Sequence, residues 1–305
     1  MERKLDGIVP IIPVPFNDDE SINDGDLKRV VQFAGKNGAT GICLPAYGSE
    51  FYKLNDKERE HVVTVAIDAN AGAVPLIAQA NHASAAVASD TARRYQRAGA
   101  DMISIAVPRT FGLRQSDVLR YLGRIADAIE VPLLVQDFNP GGPTIGPEDI
   151  FELNRQHPNF KYTKLEEPLM ADKVVAIKER VGDSVGVLEG WGGMYMLELI
   201  PLGICGVMPG VPLLEPLNRA YRLRQDGQGR EAMNLMGRLL PFINFTLQNF
   251  EVFLHVEKRL LVRLGLFETA TVRDATYTLS APNRDYVDLL CDHVQTVIAD
   301  CKAAR

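Results

Sequence analysis

Eight short runs rich in apolar and β-branched residues recur along the 305-residue chain, at 8–14, 41–46, 74–80, 101–107, 131–137, 160–165, 185–189 and 203–208. Amphipathic stretches separate them, among them 25–36, 56–70, 83–98, 115–129 and 171–181. Strand and helix signals in strict alternation predict parallel βα units. Runs that are apolar throughout predict strands covered on both faces. Eight such units fit a closed (β/α)₈ TIM barrel, an α/β fold, better than an open doubly wound sheet. No G-x-G-x-x-G follows the first run, which counts against a dinucleotide-binding sheet. Asn55 and Ser84 stand where helix N-caps are expected. Gly41, Gly99 and Gly203 stand where a helix hands over to the next strand, a position that favours positive φ.

Beyond residue 213 the strand signal stops, and helical stretches follow at 213–225, 229–249, 250–266 and 283–303. The first is expected to be the eighth barrel helix. The others form a C-terminal helical extension, which divides the chain into a catalytic barrel at 1–226 and an extension at 227–305 packed on it or at an oligomer interface.

A formal charge of −6 argues against nucleic acid as the main partner, and 46% hydrophobic with 24% charged residues is the balance of a soluble globular protein. The apolar stretch 8–16 contains Pro10, Pro13 and Pro15, is too short to span a bilayer and leads into Asp18-Asp19-Glu20, so neither a membrane span nor a signal peptide is expected. Four cysteines without a C-x-x-C pair indicate neither a disulfide framework nor a cysteine zinc site, and a cytoplasmic location is the expectation. His61, His157, His255 and His293 lack partners at metal-ligand spacing and read as structural or surface residues, while His82 falls nearer the expected barrel mouth. No metal site is predicted.

Barrel enzymes carry their chemistry at the C-terminal ends of the strands. Within the eight runs the lysines are Lys161 and Lys164, both in the sixth. Strand alternation puts Tyr162 and Lys164 on one face and Lys161 and Thr163 on the other. Lys164 lies nearer the strand end. A lysine confined to a barrel mouth is poorly solvated as a cation, and its neutral amine can attack a carbonyl to form a Schiff base. An ion pair with Glu166 or Glu167 is the alternative from spacing alone. After the second run, Tyr47-Gly48-Ser49-Glu50 offers close backbone approach at Gly48 and a hydroxyl and N–H at Ser49, suited to a carboxylate. A simple turn with a capping serine is the competing reading. Gln136 and Asp137 end the fifth run and could orient a hydroxyl or water. Gly190, before Trp191, and Met208 read as walls of the site.

Taken together, GIVPIIPVPF, PAYGSEFYKL, VPLLVQD, FKYTKLEEP and GICGVMPG resemble, in order and over nearly the whole chain, the dihydrodipicolinate synthase/N-acetylneuraminate lyase family of class I Schiff-base lyases. The resemblance implies a barrel with a helical extension, assembly as a homotetramer, no cofactor beyond a covalent imine, a small 2-oxo acid substrate, and Lys164 as the imine-forming residue. Several family positions differ. Gln136 and Asp137 stand where the family writes the Tyr-Asn of its proton-shuttling tyrosine. Ala46-Tyr47-Gly48-Ser49-Glu50 replaces G-T-T-G-E, Val107-Pro108-Arg109-Thr110-Phe111 lacks the second tyrosine, and 139–144 lacks the arginine. The V-Q-D strand end, the S-E-x-F loop and the acidic E-x-P after the lysine strand are similar to 2-keto-3-deoxy-L-arabonate dehydratases. That similarity implies dehydration of a 2-keto-3-deoxy sugar acid, with Tyr47, a water held by Gln136 or Asp137, or Glu166 moving protons in place of the tyrosine. Gly48 and Ser49 would hold the carboxylate. A pyruvate-dependent aldolase or a condensing synthase is the alternative among enzymes, and a catalytically silent sugar-acid-binding barrel is the alternative outside them.

Overall fold

The computed structural model describes residues 4–109, 111–139 and 142–303. Its eight strands are β1 (Gly7–Ile8), β2 (Ile42–Leu44), β3 (Leu76–Gln79), β4 (Met102–Ala106), β5 (Leu133–Asp137), β6 (Phe160–Leu165), β7 (Gly186–Glu189) and β8 (Gly206–Val207). All pair in parallel, in the order β1-β8-β7-β6-β5-β4-β3-β2. The ring closes where the segment after β1 meets β2: Cys43 N–H donates to Pro10 O at 3.0 Å and Ile12 N–H to Cys43 O at 3.0 Å. The architecture is the (β/α)₈ barrel that the alternation predicts.

The first run is paired over less of its length than 8–14, because Pro10, Pro13 and Pro15 have no N–H to give a ladder. Only Gly7–Ile8 forms regular pairing, with two isolated bridges from Ile11, to Cys43 and to Gly210. The last run likewise shortens, since Gly203 ends the preceding turn at φ 87°.

Helices α1 (Asp24–Lys36), α2 (Asp56–Asn70), α3 (Ala85–Ala98), α4 (Gln115–Ala126), α5 (Pro147–Gln156), α6 (Met170–Val181), α7 (Met196–Leu199) and α8 (Leu214–Gln225) surround the strands. Asn55 caps α2 and Glu58 returns the bond, a complete capping box. Ser84 occupies the N-cap of α3 without a side-chain cap, and its N–H donates instead to His82 Nδ1 at 2.9 Å. Gly99 takes φ 108° as expected. Gly41 does not; Gly38 makes the left-handed turn at φ 89°, and Gly41 answers to space, since a Cβ there would lie 2.9 Å from the Leu5 side chain.

Inside the barrel, Val9, Ile11, Cys43, Ile77, Met102, Leu134, Tyr162, Leu188 and Met208 pack together. A larger apolar cluster fills the space between strands and helices and runs without a break into α9 (Gly229–Thr246), α10 (Phe250–Arg263) and α11 (Ala281–Ala303), through residues such as Phe242, Val256, Leu260 and Val294. The link between α9 and α10 thereby comes to rest over the barrel mouth. No described helix is long and apolar enough to cross a membrane.

Candidate active site

Alternation along β6 turns Tyr162 and Lys164 into the barrel and Thr163 outward among buried side chains, while Lys161 stays partly solvated. Lys164 is 5% exposed and opens into a cavity of ≈ 580 Å³ at the C-terminal ends of the strands. Tyr47, Gly48, Gln136, Glu166, Gly190 and Met208 line the same cavity.

Its floor is a chain of polar side chains from successive strands. Glu166 Oε1 lies 3.0 Å from Lys164 Nζ. Its other oxygen accepts from Gln136 Nε2 at 2.6 Å, and Gln136 Oε1 accepts from Gln79 Nε2 at 2.8 Å. Gln79 Nε2 also reaches Ser104 Oγ at 3.3 Å. The parallel register that sets Gln136 beside Lys164 positions these groups, and β3 carries Gln79 alongside. A Cβ on Gly190 would lie 2.6 Å from Lys164 Cε and overlap the Glu166 side chain, so both fold across a position where only glycine fits.

Asp137 points the other way. It is 3% exposed, bound by Arg109 Nε at 2.9 Å and Nη2 at 2.5 Å, and it accepts the Ile145 N–H at 2.7 Å, outside the cavity. Ser49 is also withdrawn: its hydroxyl donates to Ile12 O, in the segment after β1, at 2.6 Å and accepts from Ala46 N–H of its own loop at 2.9 Å. Tyr47 and Gly48 face the cavity from the start of the 3₁₀ turn Tyr47–Ser49, whose first N–H groups have no partner within the turn. Burial, with the Glu166 charge adding to it, holds the Tyr47 phenol above its ordinary pKa. It is therefore a donor at neutral pH.

The turn is anchored from below. Glu50, at φ 58° and fully buried, meets Lys258 Nζ of α10 at 2.5 Å and Lys53 Nζ at 3.2 Å. Burial pushes Lys258 down to about 8 against the attraction of Glu50. On the opposite wall, Glu189 accepts the N–H groups of Trp191 at 3.1 Å, Gly193 at 2.9 Å and Tyr195 at 3.4 Å, and burial lifts its carboxyl to about 7.

The histidines lie elsewhere. His61 and His157 pair with Asp24 and Asp127, His255 with Thr276, and His293 with the Arg238 carbonyl; His82 does not line the cavity. Among the described residues no group of three or more His, Cys, Asp or Glu could hold a metal. Of the family's differing loops, Phe111 is 82% exposed, and Thr110, Pro140 and Gly141 lie outside the described residues.

Residues 4–293 match the model of the dihydrodipicolinate synthetase family. The chain belongs to that family. It is an enzyme of the lyase class, as this family and its named relatives are. Its relatives in the dihydrodipicolinate synthetase family carry more than one activity. The chain is 27% identical over 242 residues to the L-2-keto-3-deoxyarabonate dehydratase of Azospirillum brasilense, covering 78% of each chain. It is equally 27% identical over 242 residues to the 4-hydroxy-tetrahydrodipicolinate synthase of Methanosphaerula palustris, covering 78% of this chain and 82% of that one. Dihydrodipicolinate synthase from Rhodopseudomonas palustris superposes with a TM-score of 0.89 at 25% identity, over 96% of this chain and 99% of that one.

Sequence reasoning misses several residues that line this family member's cavity or, like Gln79, hold its lining in place. Gln79 carries a faint signal, a polar side chain ending an apolar strand. Tyr52 follows the quoted loop after β2 with nothing to mark it as a wall, and Thr246, Phe250 and Phe253 carry no signal because they reach the mouth only through packing of the extension.

Proposed function

We propose that this lyase forms an imine between Lys164 and a small 2-oxo acid, and that it dehydrates a 2-keto-3-deoxy acid. The observation that carries the reading is the Glu166 carboxylate 3.0 Å from Lys164 Nζ, held by Gln136, the residue standing where the family resemblance expects a tyrosine. The similarity to an L-2-keto-3-deoxyarabonate dehydratase supports it.

In this reading Tyr47 and Gly48 meet the substrate carboxylate at the open N–H groups of their turn. Lys164 attacks C2 as the free amine and the carbonyl oxygen leaves as water. The resulting iminium acidifies C3, Glu166 takes the C3 proton, and the C4 hydroxyl leaves with a proton returned by Glu166 or given by the Tyr47 phenol. Hydrolysis then frees Lys164. Asp137 and Ser49 support loops in this scheme, since Arg109 and the loop backbone occupy their polar atoms. Gly190 and Met208 shape the wall. The imine needs no cofactor. Four copies and a cytoplasmic location belong to the same reading, on the family resemblance.

The test is borohydride trapping with pyruvate and with a 2-keto-3-deoxy acid, followed by peptide mapping of wild type and Lys164→Ala. An adduct on Lys164, absent from the variant, with a product that keeps every carbon but has lost one water, is the expected result. Release of pyruvate would replace dehydration by C3–C4 cleavage, and saturable binding without any adduct would make the protein a silent binding barrel.

A further inference from the structure

Resting on that reading, we propose that the 2-oxo acid taken by this site carries an aromatic or bulky apolar group at C4, in place of a chain of hydroxyls. The cavity has two unlike ends. Lys164, Glu166, Gln136 and Tyr47 gather the reactive polar groups at the floor. Outward from them the walls are Tyr52, Phe138, Trp191, Leu247, Phe250 and Phe253.

The polar atoms of that outer part are largely committed to the protein. Tyr52 OH donates to Glu251, Thr246 Oγ1 donates to Ile243 O at 2.9 Å, and Asn249 Oδ1 accepts the N–H groups of Glu251 at 2.9 Å and Val252 at 3.4 Å as the cap of α10. The Trp191 indole N–H, which has no partner among the described residues, the Gln248 side chain and the Asn249 amide nitrogen remain. A polyhydroxylated tail entering this region gives up several hydrogen bonds to water and finds few in return, whereas an apolar tail gives up none.

The rings also form a prepared surface. Phe250 and Phe253 stack with centroids 5.4 Å apart at 25°, and Phe250 meets the edge of Tyr47 at 6.1 Å. Phe250 is still 39% exposed and Phe138 36%, so the surface is apolar and open to a ligand. A cavity of ≈ 580 Å³ is more than a short sugar acid fills, and lies within the range of roughly 300–1,000 Å³ typical of sites that bury larger ligands.

The chemistry balances without another reactant. Imine formation on Lys164 releases water, loss of the C3 proton and C4 hydroxyl releases another, and imine hydrolysis takes one back. A 4-hydroxy-2-oxo acid thus leaves as its 3-unsaturated 2-oxo acid plus one water.

The experiment compares kcat/KM for 4-hydroxy-2-oxo-4-phenylbutanoate and for 2-keto-3-deoxypentonate, with pyruvate trapping at Lys164 as the check on the imine. The phenyl acid is expected to be favoured by at least about ten-fold, the scale on which a hydrophobic pocket discriminates. Phe250→Ala should erode that preference through KM, and Trp191→Leu gives the same readout should Phe250→Ala fail to fold. If pyruvate is trapped but the pentonate is turned over as well as the phenyl acid or better, the inference is overturned and the lyase reading stands. If pyruvate itself is not trapped, the lyase reading falls and takes the inference with it.

Discussion

Glu257 offers a stability test whose sign runs against the usual expectation for a charged residue. It sits on α10, is 4% exposed, and has neither a hydrogen bond nor an ion pair among the described residues. Its carboxyl packs on Gly210, where an added Cβ would overlap it, and burial alone pushes it up to about 8. In the unfolded chain the same group ionises near 4.5. Between those two values the unfolded state has released a proton that the folded state retains, so stability falls as pH rises. At about 1.4 kcal/mol per pKa unit, the penalty is about 1 kcal/mol at pH 5, about 3 at pH 7 and about 5 at pH 9. Glu257→Met keeps the length of the side chain and removes the ionisation. For a chain of this size, about 2–4 °C per kcal/mol predicts a variant that melts roughly 5–10 °C above wild type at pH 7. The gap should shrink to a few degrees at pH 5 and widen at pH 9. Differential scanning calorimetry at fixed scan rate on both proteins across that range is the assay, the fixed rate guarding against irreversible unfolding. A variant that melts below wild type at every pH, or a gap that does not change with pH, would refute the reasoning.

Three further outcomes follow from the cavity and its supports. Glu166→Gln should lower kcat by roughly 10²–10⁴, the usual worth of a positioned acid–base group, while borohydride still traps pyruvate on Lys164; equal loss of trapping and turnover would make Glu166 a partner in imine formation instead. Lys258→Met leaves the fully buried Glu50 with Lys53 and the Arg273 N–H, and should cost about 3 kcal/mol, the lower end for a broken buried pair because Lys53 remains. A urea midpoint unchanged from wild type would contradict it. Gly190→Ala forces a methyl against Lys164 Cε and Glu166, so kcat/KM should drop by about ten-fold or more with little change in circular dichroism, consistent with the cost of small misplacements in a reacting pair.

The barrel was legible because period and alternation are local. Each strand writes its own apolar run, and eight runs leave few topologies open. Lys164 was legible for a related reason, since a lysine inside an apolar strand has to end somewhere polar. Direction was harder. Gln136 and Asp137 are neighbours of equal promise in sequence, but one pleat separates them, and only the register with β6 sends Gln136 to Glu166 and Asp137 to Arg109. Ser49 reads as a binding hydroxyl until the Ile12 carbonyl is seen 2.6 Å away. The prolines that shorten β1 were visible from the start, yet their effect on pairing depends on which N–H groups the ring needs. The walls supplied by Thr246 to Phe253 could not be read at all. Their place over the mouth follows from how α9 and α10 dock, and nothing in their own pattern separates a cavity wall from an ordinary amphipathic helix.

The position of Glu166 bears on which reaction the proposed imine would support. Where the family resemblance expects a tyrosine at residue 136, this chain has an amide, which cannot serve as a general acid or base at neutral pH but can hold a carboxylate at a fixed angle. Gln136 is itself held by Gln79, so the Glu166 oxygen nearest Lys164 has little freedom. Once the imine carbon replaces the lysine proton as the occupant of that space, the atom next along the substrate is C3, and a carboxylate 3.0 Å from the nitrogen is within reach of it. Elimination needs a base at C3, whereas cleavage of C3–C4 needs one at the C4 hydroxyl, farther from the nitrogen. The group nearest the amine thus favours loss of the C3 proton. Tyr47, kept protonated by burial and by the Glu166 charge, stands as a donor for a departing hydroxyl. A base beside the lysine and an acid across the cavity is the division of labour that dehydration requires.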